Sequence, residues 1–326
     1  MTRPLLWPLV PVYRLGVALR EFQLRTGLKP IRRLHWPVVS IGNLSTGGSG
    51  KTPLTITLAK ALVARGMHID VLSRGYGRGT ALPIAVNPGG TAEDFGDEPL
   101  LIARESGVPV YVAAQRFEAG LLAERSAPSS LGSHLLDDGF QHRQLARDID
   151  ILLLSRRDLG DHLLPAGNLR EPLRGAQRAQ IIAIPADESE LENEFKSRGW
   201  KGVVWHLRRT MDVPAIPGSV AAFCGIARPG QFFDGLEKAG LRLVSRDAFP
   251  DHHSFTAGDL GRLVAEARKA GASTFMTTEK DRVRLASLAD SLPESLPLKT
   301  ARLRVEIENE SAAIDWLVNH VARPQV

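Results

Sequence analysis

Residues 41–53 read IGNLSTGGSGKTP and directly follow the apolar run WPVVS at 36–40. Residues 38–41 have the composition of a buried strand, and residues 53–65 have the apolar spacing of a helix. A glycine-rich turn between a strand and a helix can point its backbone N–H groups at an anion, and the helix adds its positive N-terminal end. The stretch therefore predicts a strand–loop–helix unit that binds nucleotide phosphates.

The side chains of this loop suggest how the phosphates are held. Lys51 would reach the β- and γ-phosphates, and the hydroxyl of Thr52 would bind magnesium. The usual motif begins with glycine at the position that Ser45 occupies here, whereas the Gly-Gly-x-Gly-Lys-Thr core is intact. A turn of the same composition that binds nothing is the alternative. The predicted phosphate-binding residues are Ser45, Thr46, Gly47, Gly48, Ser49, Gly50, Lys51 and Thr52.

Composition limits the classes of partner. The 326 residues are 43% apolar, enough for two ordinary domains, and carry a net charge of +5 that favours a negatively charged partner. The sequence has no dense Lys/Arg tract and no aromatic-basic platform, which argues against nucleic acid. No protein partner is evident. The single cysteine, Cys224, excludes a Cys-rich zinc site and a disulfide framework and favours a cytoplasmic location.

The N-terminal segment, residues 1–30, is amphipathic. Its apolar stretch at 5–13 is interrupted by prolines, is too short to span a bilayer, and lacks the cleavage site of a signal peptide. A helix starting at Pro11 would align four apolar side chains, which are Val12, Leu15, Leu19 and Phe22. With arginines elsewhere on its surface, such a helix suits the surface of an anionic membrane. The alternative is a helix docked on the protein's own core.

Strand-like runs alternate with helical patterns along the rest of the chain. The predicted strands of the first part are 68–74, 108–113, 133–137, 148–154 and 179–185, and the predicted helices lie near 52–65, 97–106, 114–125 and 187–198. Strands separated by helices predict right-handed crossovers and a mostly parallel sheet. Ligands are therefore expected at the carboxyl ends of the strands.

A second set of strands and helices begins after residue 210. Two flanking segments, 202–210 and 299–307, have strand character and could pair as a two-stranded linker. We therefore expect an α/β fold with a P-loop NTPase-like α/β/α domain and a second, smaller α/β/α domain. The expected divisions are the amphipathic segment 1–30, a P-loop domain 31–201, the linker 202–210 and 299–307, a smaller domain 211–298, and a closing helix and tail 308–326.

Two adjacent carboxylates end a predicted strand at His134-Leu135-Leu136-Asp137-Asp138. P-loop enzymes hold magnesium with an acidic residue at such a strand end. Neighbouring carboxylates also repel each other unless a cation lies beside them. Asp137 and Asp138 are therefore predicted metal ligands together with Thr52. A charged turn is the alternative.

Four further motifs are ambiguous by themselves. Asp97 in FGDEP could be a plain helix N-cap. In LPAGNLREP at 164–172, Arg170 could hold a phosphate, or pair with a surface glutamate. FPDHHSFT at 249–256 favours one histidine tuned by a carboxylate over a metal site. TTEKD at 277–281 could be a capped helix start with a surface charge pair.

Taken in order, GNLSTGGSGKTP, RGYGR, GDEP, DDGFQH, LPAGNLREP, FPDHHSFT and TTEKD resemble the tetraacyldisaccharide 4'-kinase family. The resemblance extends over nearly the whole chain, and the ordered set is far more specific than any single motif. Ser45 in place of glycine is also a feature of that family.

The resemblance implies a lipid kinase. Members transfer the γ-phosphate of ATP to the 4'-hydroxyl of a tetraacyldisaccharide 1-phosphate, a lipid A precursor, with Mg2+. They act peripherally at the cytoplasmic face of the inner membrane of Gram-negative bacteria, in contact with its anionic surface. The family's catalytic dyad corresponds to Asp97 as general base and His252, the first histidine of DHH, with Lys51 acting on the phosphates. Asn168, Arg170 and Glu171 would bind substrate.

Two other classes remain as alternatives. Membrane-associated regulatory ATPases of the MinD/ParA type share the Gly-Gly-x-Gly-Lys-Thr loop, but they have a lysine where this chain has Thr46. A nucleotide-dependent binding module without transfer chemistry would have no use for the pair of Asp97 and His252.

Overall fold

The protein forms one continuous mixed β-sheet with helices on its faces. A computed structural model describes residues 3–127 and 132–321, and within them the sheet has twelve strands. The strands are β1 Val38–Asn43, β2 His68–Ser73, β3 Ile84–Ala85, β4 Val110–Val112, β5 Gly132–Asp137, β6 Ile149–Leu153, β7 Ile181–Pro185, β8 Val203–Asp212, β9 Ser219–Cys224, β10 Arg242–Ala248, β11 Thr274–Thr278 and β12 Leu298–Ile307.

The α-helices are α1 Val10–Arg25, α2 Lys51–Ala64, α3 Ala92–Phe95, α4 Asp97–Ser106, α5 Arg116–Ser126, α6 Arg156–Leu159, α7 Leu191–Ser197, α8 Pro229–Lys238, α9 Ala257–Lys269, α10 Glu279–Leu285 and α11 Glu310–Val321. Helices α2 to α10 lie between these strands in the chain, whereas α1 precedes β1 and α11 follows β12. Short 3-10 helices add Pro4–Leu9, Leu173–Arg178, Ala186–Glu188 and Ala286–Ser291.

The order of the strands places the two strongest motifs side by side. The sheet runs β10-β9-β11-β12-β8-β7-β6-β1-β5-β2-β4-β3. Strand β1 pairs in parallel with β5 on one side and with β6 on the other, and Ile41 lies opposite Asp137. The glycine-rich loop after β1 and the acid pair at the end of β5 therefore meet at one edge of the sheet, where α/β folds bind ligands.

The core explains why β1 and α2 form as predicted. All six residues of β1 are buried, as expected for a central parallel strand covered on both faces. Leu54 and Leu58 of α2 are fully buried and pack in one cluster with Val39 and Ile41. Helix α11 contributes Leu317 to the same cluster, so α11 packs against α2.

Strands β8 and β12 join the two halves of the sheet. They run antiparallel from Arg302 opposite Asp212 to Ile307 opposite Leu207. The first part of β12 pairs in parallel with β11, so a single strand belongs to both halves. The segments expected to pair as a linker are thus hydrogen-bonded to each other, while the division into domains stays a prediction.

The N-terminal helix α1 lies on the surface of the protein. Leu24 is its buried residue, whereas Val12, Leu15, Leu19 and Phe22 are 67%, 69%, 54% and 56% exposed. The apolar stripe therefore faces away from the protein's own core. No described helix is both long and apolar enough to cross a membrane.

The predicted fold class is confirmed, with small differences in detail. The helix expected over 187–198 is shorter, because a 3-10 turn at Ala186–Glu188 precedes α7. The short edge strand β3 and the four-residue α3, which has its own capping box at Thr91 and Asp94, were not predicted. Residues 1–2 and 322–326 of the predicted terminal segments lie outside the described residues.

A buried histidine links β5 to its neighbours at the end of the sheet opposite the motifs. His134 is fully buried, and its Nδ1 and Nε2 lie 2.7 Å from Asp70 Oδ1 and 3.4 Å from Glu124 Oε1. Burial alone would lower the pKa of His134, but the hydrogen bonds and charges of Asp70 and Glu124 raise it from 6.5 to about 9. The imidazole is therefore held in its charged form at neutral pH.

This cluster makes stability depend on pH. The raised pKa of His134 contributes stability that is fully present below pH 6.5 and is lost as the pH rises through about 9. We expect the melting temperature of the wild-type protein to fall over this interval, and to fall less steeply for His134→Gln. The measurement is thermal unfolding as a function of pH.

The exposed His320 of α11 supplies a matched control. His320→Gln is expected to keep the wild-type pH dependence, since its side chain lies outside any buried acidic cluster. Identical slopes for wild type and His134→Gln would contradict the prediction.

Candidate active site

A large cavity lies at the carboxyl ends of β1 and β5. Its volume is about 960 Å³, and it extends from the glycine-rich loop to the loop at 226–228 of the C-terminal half. Of the predicted phosphate-binding residues, Thr46 to Thr52 line this cavity, and Ser45 is buried behind them. The cavity is large enough for a nucleotide and part of a second substrate.

The loop conformation depends on glycine. Gly50 precedes α2 with φ of 91°, a left-handed conformation that side chains disfavour. Lys51 begins the helix, and its Nζ donates to Asn43 Oδ1 at 3.0 Å and lies 3.5 Å from Asp138 Oδ1. The ammonium group is therefore held inside the cavity by side chains from β1 and from the end of β5.

The two carboxylates of the acid pair differ in their surroundings. Asp137 is 2% exposed and accepts a hydrogen bond from Thr55 Oγ1 at 3.2 Å. Burial, and then the negative charges of Glu98 and Asp138, raise its pKa to about 7. Asp137 is therefore a buried carboxylate with little compensating charge, which is the chemical environment that a cation would relieve.

Asp138 is compensated by cationic side chains instead. It has φ of 46°, and its two carboxylate oxygens each accept from Arg170 Nη1 at 2.9 Å. Burial would raise the pKa of Asp138, but Lys51 and Arg170 hold it below its usual value. The left-handed backbone at a non-glycine residue is a strained conformation of the kind found at functional sites.

Asp97 and His252 come together from the two halves of the chain. Asp97 is the first residue of α4, and His252 follows β10 in a turn with φ of 59°. The atoms Asp97 Oδ2 and His252 Nδ1 lie 3.0 Å apart although the residues are 155 positions apart in sequence. Both residues line the cavity, and Tyr76 packs its ring 5.5 Å from that of His252.

The neighbouring His253 points elsewhere. Its Nε2 lies 3.1 Å from Asp259 Oδ2 at the start of α9, and its ring stacks on Phe249. The structure therefore places the first histidine of the pair, and not the second, next to Asp97.

The three predicted substrate-binding residues are separated in the structure. Arg170 and Glu171 line the cavity. The side-chain amide of Asn168 instead donates to Asp161 Oδ2 at 2.9 Å, and the backbone carbonyl of Asn168 accepts from the Thr46 N–H. Asn168 thus supports the phosphate loop from behind. The alternative of a plain Arg170–Glu171 surface pair is wrong, because Arg170 pairs with Asp138.

Several residues in or next to the cavity were not predicted. Arg284 of α10 contacts Asp97, and Lys280 forms an ion pair with Glu98. Lys280 lies inside TTEKD, and Arg284 follows three residues after that motif, so a helical continuation of the motif could have suggested it. Arg116 is 7% exposed, and no motif in the sequence distinguished it.

Basic side chains create a positive field on one wall of the cavity. Arg116 lies near Arg74, and burial followed by that charge lowers the pKa of Arg116 to about 10. Nearby, burial and then the charges of Arg116, Arg20 and Arg147 lower the pKa of His142 to about 3. The Nε of Arg116 is buried and has no hydrogen-bond partner among residues 3–127 and 132–321. Such a wall favours an anionic ligand.

Comparison with known proteins agrees with this geometry. The family described as Tetraacyldisaccharide-1-P 4'-kinase matches residues 2–322. A tetraacyldisaccharide 4'-kinase from Koribacter versatilis is 40% identical over 328 residues, covering 98% of this chain and 99% of its own. One from Polaromonas naphthalenivorans is 37% identical and covers 96% and 90%.

A solved structure shares both the fold and part of the sequence. It is the "apo" form of LpxK from Aquifex aeolicus in complex with ATP, which matches with a TM-score of 0.73 and 30% identity over 97% of this chain and 98% of its own. The alternative of a MinD/ParA-type ATPase receives no support from these matches. The family match spans the chain from the amphipathic segment through α11, and the chain therefore belongs to the tetraacyldisaccharide-1-P 4'-kinase family.

Proposed function

We propose that the cavity transfers the γ-phosphate of ATP to the 4'-hydroxyl of a tetraacyldisaccharide 1-phosphate, with Asp97 as general base. Family membership carries the reaction class. The observation that supports the residue roles is the 3.0 Å contact between Asp97 and His252 beside the phosphate loop. The relative from Aquifex aeolicus is in complex with ATP, which supports the choice of nucleotide.

The glycine-rich loop would bind the phosphates of ATP. Its N–H groups and the N-terminus of α2 would hold the β- and γ-phosphates. The Lys51 ammonium would neutralise charge on the transferred group and on the β-phosphate as ADP leaves. Two arginines from later in the chain also contact the loop. Arg209 of β8 donates to the Ser49 carbonyl, and Arg228, which follows β9, lies against Gly48. Both add positive charge to the site.

Asp97 would act on the hydroxyl group of the acceptor. Its carboxylate would accept the proton of the 4'-hydroxyl while that oxygen bonds to the γ-phosphorus and the bond to ADP breaks. Burial would raise the pKa of Asp97, but the His252 hydrogen bond and the charges of Arg284 and Lys280 hold it well below its usual value. Because the transition state of phosphoryl transfer is loose, orientation of the hydroxyl matters more than the strength of the base.

Magnesium fits the acid pair. Asp137 is buried with a raised pKa, and Thr52 lines the same cavity, so a hard cation would find oxygen ligands there. The described residues contain no cluster of three or more His, Cys, Asp or Glu side chains that could form a complete protein cage. Mg2+ commonly binds through one or two carboxylates and substrate phosphates, so Asp137, Asp138 and Thr52 would suffice. When bound, the ion would neutralise phosphate charge.

The positive wall would receive the acceptor. Arg116 and Arg74 line the cavity, and their guanidinium groups would attract an anionic group. Arg170 and Glu171 line the same cavity and would contact the sugar. The 1-phosphate of the acceptor supplies the negative charge that such a wall requires.

The N-terminal segment would bring the protein to its lipid substrate. The exposed stripe of α1 faces outward, while the inner face of the helix borders the cavity through Tyr13, whose hydroxyl donates to the Arg170 carbonyl at 2.8 Å. A helix placed in this way can lie in the headgroup region of an anionic membrane at the cytoplasmic face of the inner membrane. Acyl chains could then remain in the bilayer while the sugar enters the cavity.

The dyad should behave as one unit. We expect Asp97→Ala and His252→Ala each to lower turnover by roughly two orders of magnitude or more, in the range for loss of a general base. The double variant should be little worse than the poorer single one, because residues that act together have non-additive effects. The measurement is transfer of label from γ-labelled ATP to tetraacyldisaccharide 1-phosphate at saturating substrates.

His253→Ala is the matched control for this experiment. Its side chain faces Asp259, so turnover should change much less than in His252→Ala. Losses that multiply in the double variant would show that Asp97 and His252 act independently. Absence of label in the lipid with wild-type protein would reject the proposed reaction.

The acid pair should set the magnesium requirement. We expect Asp137→Asn and Asp138→Asn each to shift the magnesium dependence of turnover to higher concentration, since each removes a charged oxygen ligand. The exposed Asp290, remote from the cavity, gives the control variant Asp290→Asn. Curves that coincide with wild type for both acid-pair variants would exclude them as ligands.

The stripe on α1 should bind membranes. Leu15→Ser combined with Phe22→Ser is expected to release the protein from vesicles that contain anionic phospholipid, with little change in melting temperature, because both side chains are exposed. Val63→Ser removes an exposed apolar side chain from α2 and should leave vesicle binding intact. A large drop in melting temperature for the double variant would instead indicate a structural role for the stripe.

A further inference from the structure

The motif TTEKD at 277–281 builds a rigid support at the beginning of α10. Thr278 caps the helix, and its hydroxyl donates to Asp281 Oδ2 at 2.6 Å. The other oxygen of Asp281 accepts the Gly225 N–H at 3.0 Å. Asp281 is fully buried, so its carboxylate is fixed by partners on both oxygens.

Arg284 is attached to this support one helical turn later. Its Nη1 donates to Asp281 Oδ1 at 2.9 Å and to the Gly225 carbonyl at 2.6 Å. The Arg284 side chain is only 6% exposed. The guanidinium is therefore held in one orientation by the C-terminal half of the protein before any contact with the other half is counted.

The remaining edge of the guanidinium contacts Asp97. Nε of Arg284 donates to Asp97 Oδ2 at 2.7 Å, and Nη2 contacts the same oxygen. His252 Nδ1 also lies at Oδ2, whereas Oδ1 accepts the Glu98 N–H at 2.9 Å. All side-chain donors thus converge on one oxygen of Asp97, and Oδ1 keeps a lone pair for a ligand in the cavity.

A second ion pair holds the same two helices together. Lys280 of α10 pairs with Glu98 of α4, next to the contact between Arg284 and Asp97. The charged groups that act on Asp97 are Arg284, Lys280 and the negative Asp281 from α10, and His252 from the turn after β10. Each of these groups belongs to the C-terminal half, so the orientation of Asp97 depends on contact between the two halves.

We propose that Arg284 is a positioning residue for phosphoryl transfer, whose guanidinium holds Asp97 Oδ2 so that Oδ1 faces the acceptor hydroxyl. Asp281 fixes the guanidinium, and this gives the TTEKD motif its function. The inference rests on the proposed role of Asp97 as the base. A planar fork with donors at fixed angles can make these four contacts at once, and a lysine ammonium cannot.

The test compares Arg284→Gln, Arg284→Lys and the control Arg282→Gln on the same helix. Arg282 is exposed and contacts the backbone carbonyl of Ala286. We expect kcat to fall by about 100-fold in both Arg284 variants, the loss typical of a catalytic group misplaced by about 1 Å. The KM for ATP should stay near the wild-type value, and Arg282→Gln should retain full turnover.

The pH profile separates position from charge. In Arg284→Gln the loss of positive charge raises the pKa of Asp97, so the acid limb of kcat/KM against pH should move to higher pH. In Arg284→Lys the charge remains, so kcat should fall while the acid limb stays near its wild-type position. A merely structural role would lower the melting temperature without moving the limb.

Combination with Asp97→Asn completes the test. If Arg284 acts through Asp97, adding Arg284→Gln to Asp97→Asn should cost little further turnover. Folded Arg284 variants with wild-type kcat, or losses that multiply with Asp97→Asn, would overturn the inference while Asp97 remains the base. Full activity of Asp97→Asn itself would instead reject the proposed base and the inference with it. If Arg284→Gln does not fold, Arg284→Lys still decides the question.

Discussion

The buried carboxylate of Asp97 is the group on which the arrangement of the site depends. A carboxylate that is 6% exposed is costly to bury unless cationic partners surround it. Its partners, His252 and Arg284, come from residues 155 and 187 positions further along the chain. Because neither partner belongs to the half that carries Asp97, the carboxylate is compensated only where the two halves touch. Contact between the halves and completion of the proposed base are therefore the same physical event.

The β-sheet also connects the two halves through backbone hydrogen bonds. Strand β12 pairs with β11 in its first part and with β8 in its second, so one strand carries hydrogen bonds into both halves. In the β8–β12 pair, residues 208–210 of β8 are exposed. Asp97 and Glu98 also form ion pairs with α10. Separating these charges would leave them buried and unpaired, so the ion pairs also hold the two halves in contact.

The sequence determined the parts of the site that depend on local chain geometry. Glycines before Lys51 and the acids after an apolar strand are read from neighbouring residues, so the loop, the fold class and the family could all be predicted. The role of Arg116 and the convergence of donors on one oxygen of Asp97 could not be predicted, because they arise from packing between segments that are distant in sequence.

Asn168 is a motif residue whose predicted role was not the one that the structure shows. It lies within a motif and yet supports Thr46 from behind the loop, since its side chain is directed by Asp161.

The charges of the cavity are unbalanced in a way that matches two anionic substrates. Arg116 and Arg74 lie on one wall, and their field, together with burial, holds His142 neutral. At the floor, Asp137 is a carboxylate whose pKa of about 7 reflects burial beside Glu98 and Asp138. A proton on Asp137 relieves that repulsion in the absence of other cations, and a divalent ion bound with nucleotide phosphates would replace the proton. Under the proposed function each ligand would supply the charge that its own part of the cavity lacks, and the same electrostatic imbalance would favour binding of nucleotide, metal and acceptor.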